Sequence, residues 1–301
     1  MADDSDNRSC ASTHSDASTV DTPIKKTPVS GPITDAKSEA GLASWFMAGE
    51  AAADGDTAVG DDCALRVIHC WSTPRALSTA TMYAFAQRAD MRVYDEPLYP
   101  AYLSSHPEVQ RPYRDSLLAG LDANRVEQEA ASALINIDIA HASGGEHEDQ
   151  VAYVKHIAKF YEPRPDLELL CGPGKRHVLM LRSPLEVVRS WCARADLHAG
   201  SSEWEDVGFS LLAQIYRDVK RHTGEEPVVV DTDVLREHPR EVLTELCLRL
   251  GLPFSEDMLH WEAGPKSYDG PWASHWCVSM RFPPRFPSIR SISHLCVATN
   301  H

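Results

Sequence analysis

LRVIHCWSTPRALSTATMYAFAQRAD, residues 65–90, holds three textures in one run. LRVIHC is a short apolar stretch with the length and content of a buried strand. WSTPR ends it, and beyond that loop Leu77, Met82, Phe85 and Ala86 recur near helical spacing. The order is strand, loop, helix, and it returns downstream. HVLMLR (177–182) is a second buried-strand pattern running into SPLEVVRSWCARA, where Pro184 suits a first helical turn. PVVVD (227–231) is a third. It follows an amphipathic helix over EWEDVGFSLLAQIYRDVKRHTG that closes at Gly224, and it precedes two short helices in TDVLREHPREVLTELCLRLGLP. MRVYD (91–95) is a further short strand ending at Glu96-Pro97. Residues 106–136 read as mostly helical, most strongly in RVEQEAASALIN, while VAYVKHIAKF (151–160) fits either the start of a strand or a helix. Strands separated by helices predict an α/β fold, a central parallel sheet with helices on both faces.

The flanks have a different composition. Residues 1–62 carry twelve acids against four bases and little periodicity, which predicts a disordered acidic tail. Residues 63–276 then form the α/β domain, and 277–301, without a period, an irregular C-terminal tail. The 301 residues are 43% hydrophobic with a net charge of −15, enough apolar content for one enzyme-sized domain. That charge argues against a general nucleic-acid binder or a polybasic membrane-surface protein. No stretch approaches the roughly 20 apolar residues of a membrane span, and MADDSDNRSC is acidic where a leader is basic, so the chain reads as soluble and cytoplasmic. The eight cysteines form no Cys-x-x-Cys pair and the 14 histidines no His-x-x-x-His pair, so no metal site is expected.

In a parallel sheet ligands bind at the carboxyl ends of strands, which singles out three loops. The loop after Cys70, WSTPRALST (71–79), opens a helix. Backbone N–H groups of a first turn, two hydroxyls and Arg75 together make an anion cradle, although Ser78 and Thr79 equally suit simple helix caps. It is not a GxxxxGK[ST] loop. Arg182 ends the HVLMLR strand, with Ser190 two turns into the next helix, a pairing suited to a phosphate or to an ion pair of Arg182 with Glu186. Two such loops in one sheet suggest a ligand with phosphates at both ends. The third loop, after RVYD, carries Glu96.

These residues resemble the sulfotransferases that use 3′-phosphoadenosine 5′-phosphosulfate, PAPS. WSTPRALST is similar to their 5′-phosphosulfate loop, with Arg75 where the cytosolic enzymes usually have lysine, and RSPLEVVRS to their 3′-phosphate motif through Arg182, Pro184 and Ser190. DEPLY (95–99), KHIAK (155–159) and WEAGPK (261–266) extend the resemblance to P-loop sulfotransferase-like proteins of bacteria, algae and plants, across residues 65–276. Ala76 and Ser183 depart from the usual family residues. The resemblance implies a three-layer P-loop NTPase-like fold, PAPS as co-substrate, no metal, and a small-molecule or carbohydrate acceptor. It further implies that Arg75, the backbone of Ala76, Leu77, Ser78 and Thr79, and the hydroxyls of Ser78 and Thr79 hold the leaving phosphate. Arg182 and Ser190 would take the 3′-phosphate, and Lys266 would close over the nucleotide. Glu96 is the first candidate for the general base and His156 the second; Glu96 equally suits an ion pair with Arg75 or Lys155, and His156 a packed core position. The aromatic residues Trp261, Tyr268, Trp272 and Trp276 suit packing of the C-terminal loop or the wall of an acceptor pocket. Two other readings stay open, a nucleotide-dependent kinase and a nucleotide-binding module without transfer activity.

Overall fold

The computed structural model describes residues 64–273 apart from 112, 120, 123–124, 163–164 and 193–206. The acidic tail, residues 277–301, Trp276 and the first residues of the EWEDV helix therefore lie outside the described residues. Five strands form one sheet: β1 (Val67–Ser72), β2 (Met91–Asp95), β3 (Val151–Ile157), β4 (Lys175–Leu181) and β5 (Val228–Asp231). Their order is β2-β3-β1-β4-β5 and every pairing is parallel. The predicted three-layer α/β architecture is what the chain adopts.

Helices cover both faces. On one, α1 (Ser78–Phe85) packs across β1, β2 and β3, and Phe85 stacks on Tyr153 at 4.4 Å between ring centres. The other face is broader. α2 (Tyr99–Ser105), α3 (Arg114–Leu118), α4 (Val126–Ala140), the 3₁₀ turn Ala158–Tyr161 and α5 (Leu167–Cys171) gather around Trp71. α6 (Pro184–Cys192) follows β4, and α7 (Phe209–Thr223) adds Leu212, Ile215 and Val219 to that core. Burial of each such side chain contributes about 1.5–3 kcal/mol. After β5 the Asp231 carboxylate accepts from Asp233 N and Val234 N, capping α8 (Thr232–Glu237), and Pro239 opens α9 (Pro239–Arg249).

VAYVKHIAKF resolves into a strand followed by a 3₁₀ turn. β3 lies between β2 and β1 with both faces covered, and six of its seven residues are buried. The described residues of 106–136 contain less helix than their pattern suggests, since among them only Arg114–Leu118 and the run from Val126 are helical. Tyr99–Ser105 is a helix that the pattern had not indicated. Among the described residues no helix is long and apolar enough to cross a membrane.

Candidate active site

β1 and β4 are neighbours, and the chain leaves β1 toward β2 at one edge of the sheet and β4 toward β5 at the other, so a crevice opens at their carboxyl ends. The 71–79 loop fills that crevice. It carries two residues with positive φ that are not glycine, Arg75 at 66° and Leu77 at 59°. A third, Glu96 at 52°, sits in the loop after β2. Among the described residues there are no others, and such conformations persist only where surrounding structure enforces them.

The Glu96 turn is enforced by hydrogen bonds. Glu96 N donates to Lys155 O, extending the β2-β3 ladder, and its own carbonyl accepts from Tyr99 N. The N-cap of α1 is Leu77, which supplies no side-chain cap, and the first turn holds no acid. Ser78 and Thr79 are thus not caps. They line a cleft with Pro74, Arg75, Glu96 and Lys155, backed by Tyr99, Arg111, Ile157, Lys159, Phe160 and Trp272. The cavity volume of the cleft is about 90 Å³.

Two charged groupings define its chemistry. Lys155 Nζ, almost fully buried, donates to Glu96 Oε1 at 2.6 Å and to Asp95 Oδ1 at 2.7 Å. Burial is the main influence on Glu96. It pushes the carboxyl up to about 7, Lys155 pulls the other way, and Asp95 adds to the rise. The second grouping joins the two anion loops. Arg75 Nε donates to Ser190 Oγ at 3.0 Å, and Arg182 NH1 donates to the carbonyl oxygen of Arg75 at 2.7 Å. Arg182 lies only loosely against acids, 3.9 Å from Glu186 and 3.7 Å from Asp233. Burial lowers its pKa from the usual guanidinium value, with Asp233 opposing.

Arg75, Ser78, Thr79 and Glu96 therefore come together in the cleft, and Arg182 and Ser190 adjoin it through Arg75. Ala76 is wholly buried beneath the loop and Leu77 half-exposed within it. Glu96 is both cleft-lining and paired with Lys155. Lys155 is buried rather than solvated. His156 is not brought to the cleft, a correction to its place as second base. It follows Lys155 on β3 and faces the opposite side of the sheet, where its ring stacks on Trp71 at 4.1 Å and its Nε2 meets His69 Nδ1 at 3.0 Å. Burial lowers its pKa to about 3. Lys266 sits in a turn where its backbone N donates to Asp269 Oδ2, outside the cleft lining.

The WEAGPK block reaches the site by another route. Gly270 N donates to Asp95 Oδ2 and Tyr83 donates to Asp269 Oδ1, which ties residues 266–272 to the end of β2 and to α1. Trp272 then forms both core and cleft wall, whereas Trp261 and Tyr268 pack edge-on to Tyr83. Sequence reasoning missed Tyr99, Arg111 and Phe160, and did not single out Lys159 within KHIAK. Of these, Tyr99 and Lys159 stand inside the quoted DEPLY and KHIAK blocks, the one signal that pointed to them.

A nucleotide carrying a phosphate and a phosphosulfate needs anion-binding donors at two separate points. A positive loop with two left-handed residues, uncapped first-turn N–H groups and two linked arginines suits such a molecule. Among the described residues no group of three or more His, Cys, Asp or Glu side chains is arranged to hold a metal ion.

A family model described as a sulfotransferase domain matches residues 65–286. Two Arabidopsis thaliana proteins, named branched-chain-amino-acid aminotransferase-like proteins 2 and 1, are 36% identical over 236 and 234 residues, 76% of this chain. The chain spans 39% of the length of each. Among solved structures, the sulfotransferase domain from the olefin synthase of Synechococcus PCC 7002 is similar at 18% identity and a TM-score of 0.46, over 80% of this chain and 98% of that one.

Proposed function

The chain belongs to the sulfotransferase domain family, and from that premise we propose that it transfers a sulfuryl group from PAPS to a hydroxyl or amine of an acceptor. The observation that carries the reading is that, among the described residues, the three non-glycine positive-φ residues are confined to the loops at one crevice, with Arg75 and Glu96 lining the same cleft. The acceptor oxygen attacks sulfur as the bond from sulfur to the phosphate oxygen breaks, in line, and the electron pair leaves with that phosphate. Arg75, Ser78, Thr79 and the N–H groups of the α1 first turn face the charge that builds there, as in phosphoryl transfer, where positioning and electrostatics supply most of the rate. Glu96 takes the acceptor's proton. Its pKa near 7 matches a base working near neutrality, and Lys155 holds its carboxylate in place. Arg182 and Ser190 take the 3′-phosphate.

Calorimetric titration with 3′-phosphoadenosine 5′-phosphate, PAP, against ATP and adenosine 5′-phosphosulfate tests the donor. Selectivity for the 3′-phosphate is expected. Equal affinity for all three, in a folded chain, would sink the assignment of Arg182 and Ser190 and with it the choice of donor.

A further inference from the structure

Asp95 and Glu96 are consecutive, and in an extended strand consecutive side chains point to opposite faces of the sheet. Both nevertheless reach one ammonium. Asp95 lies opposite Lys155 in the β2-β3 register, so its carboxylate meets Lys155 directly, with 2.7 Å from Nζ to Oδ1. Glu96 gets there because the chain turns into the left-handed region at its φ of 52°, which brings Oε1 to 2.6 Å from the same Nζ. Such a turn is strained at a residue other than glycine.

One carboxylate neutralises a buried lysine, and a second adds a charge that burial penalises. The side chains of Lys155, Asp95 and Glu96 are 3%, 4% and 8% exposed. A purely structural ion pair therefore has no use for both acids. The two carboxylates differ in what they face. Glu96 lines the cleft with Lys155, and among the described residues no hydrogen bond reaches its Oε2. Asp95 is not part of that lining. Its second oxygen, Oδ2, accepts from Gly270 N at 3.0 Å. The Trp272 indole closes down on Gly270, where a Cβ would lie 2.1 Å from the ring, and Trp272 in turn lines the cleft.

Resting on the sulfotransferase reading, we infer that Asp95 is a positioning residue: through Lys155 it fixes the Glu96 carboxylate at the cleft, and through Gly270 it holds the segment that brings Trp272 there. The other charged and titratable groups facing Glu96 are Lys159 of the 3₁₀ turn, Tyr99 of α2, and Arg75 and Arg111 in the same cleft. Burial favours the protonated form of Glu96, Lys155 and Lys159 oppose it, and the like charge of Asp95 reinforces it. Asp95 thus acts on the base without touching anything that binds in the cleft.

The test is a pH titration of the full chain by NMR, with its side-chain carboxyls isotope-labelled and the Glu96 signal identified by its loss in Glu96→Gln. Asp95→Asn keeps an oxygen for Gly270 N but removes the charge. In that variant the Glu96 midpoint should fall from about 7 by about one pH unit or more, and Asp95→Glu should return it most of the way. Acrylamide quenching of Trp272, taken by difference from Trp272→Phe, should be unchanged in Asp95→Asn and rise severalfold in Asp95→Ala, which loses the Gly270 contact. The parent chain gives a result that depends on no variant. Its Gly270 amide signal should move with the Glu96 midpoint, because a proton gained by Glu96 releases Lys155 toward Asp95. A Glu96 midpoint unmoved in Asp95→Asn, a Gly270 amide silent in the parent, or lost stability in Asp95→Asn with neither readout changed would each overturn the inference. A PAP titration of the same parent separates the two claims. Couplings intact in a folded chain that does not bind PAP would strike the sulfotransferase reading and spare the link; couplings absent in a chain that binds PAP would strike the link alone.

Discussion

Lys155 and His156 are neighbours in β3, yet the protein treats them in opposite ways. Lys155 points to the α1 face and keeps its charge between two carboxylates. His156 points to the α4 face and joins His69, His177 and Trp71 in a stack of rings between neighbouring strands. Trp71 Nε1 donates to His177 Nδ1, which leaves Nε2 of His177 to donate to the carbonyl of Leu170 and keeps that imidazole neutral. The difference teaches what burial does to a titratable group. A charge survives at depth where opposite charge is bonded to it; otherwise the group discharges.

The largest effect that separates the two regions is acid lability. Burial lowers the pKa of His69 well below its usual value, that of His156 to about 3 and that of His177 to about 4. The unfolded chain gains protons below about 6.5 and the folded chain does not, so stability present above 6.5 falls as the pH drops toward 4. Each histidine contributes about a tenfold change in the folding equilibrium per pH unit. Denaturant melts across that window should show the decline, and His156→Phe, which keeps a ring on Trp71, should flatten it. An unchanged slope would mean that the stack does not control acid unfolding.

Breaking the other region comes next. Lys155→Met leaves Asp95 and Glu96 side by side without their cation and should cost about 3–5 kcal/mol in the same melts. Adding Glu96→Gln should recover part of the loss. Alone, Glu96→Gln should leave PAP affinity nearly intact and slow sulfuryl transfer by about 10²-fold or more, measured with whichever acceptor is turned over. In the parent, kcat/KM should rise with pH through about 7 as Glu96 loses its proton, and a flat profile would remove Glu96 as the base. The smallest effect is expected from Asp269→Asn, which weakens the tie between the 266–272 segment and α1. About 1 kcal/mol is anticipated, with a weaker hold on Trp272 read from its fluorescence.

The same pair of residues shows where the sequence was legible. β1, β2, β4 and β5 were visible because apolar runs end at turn residues, the helix after β4 because Pro184 opens it, and the second helix after β5 because it stops before Gly251 and Pro253. β3 was ambiguous because a central strand covered on both faces has no alternation to display. Had β3 been read as a strand, its two-residue period alone would have said that only one of Lys155 and His156 could reach the cleft. Arg75, Ser78, Thr79 and Glu96 were found because they follow strand ends. Arg111 was not, because a loop residue with no local pattern enters the cleft only through the packing of distant segments.

One hydrogen bond reaches beyond its local role. Arg182 holds the carbonyl of Arg75, so the side chain assigned to one end of the donor also sets the backbone of the loop assigned to the other. On the proposed reading this makes the pair a gauge of donor length. A nucleotide with phosphates at both ends settles both loops together, while one phosphorylated only at the 5′ side meets a loop whose far anchor is unsettled. Such a mismatch would register as slow turnover even where occupancy is high, giving selection by fit as well as by affinity.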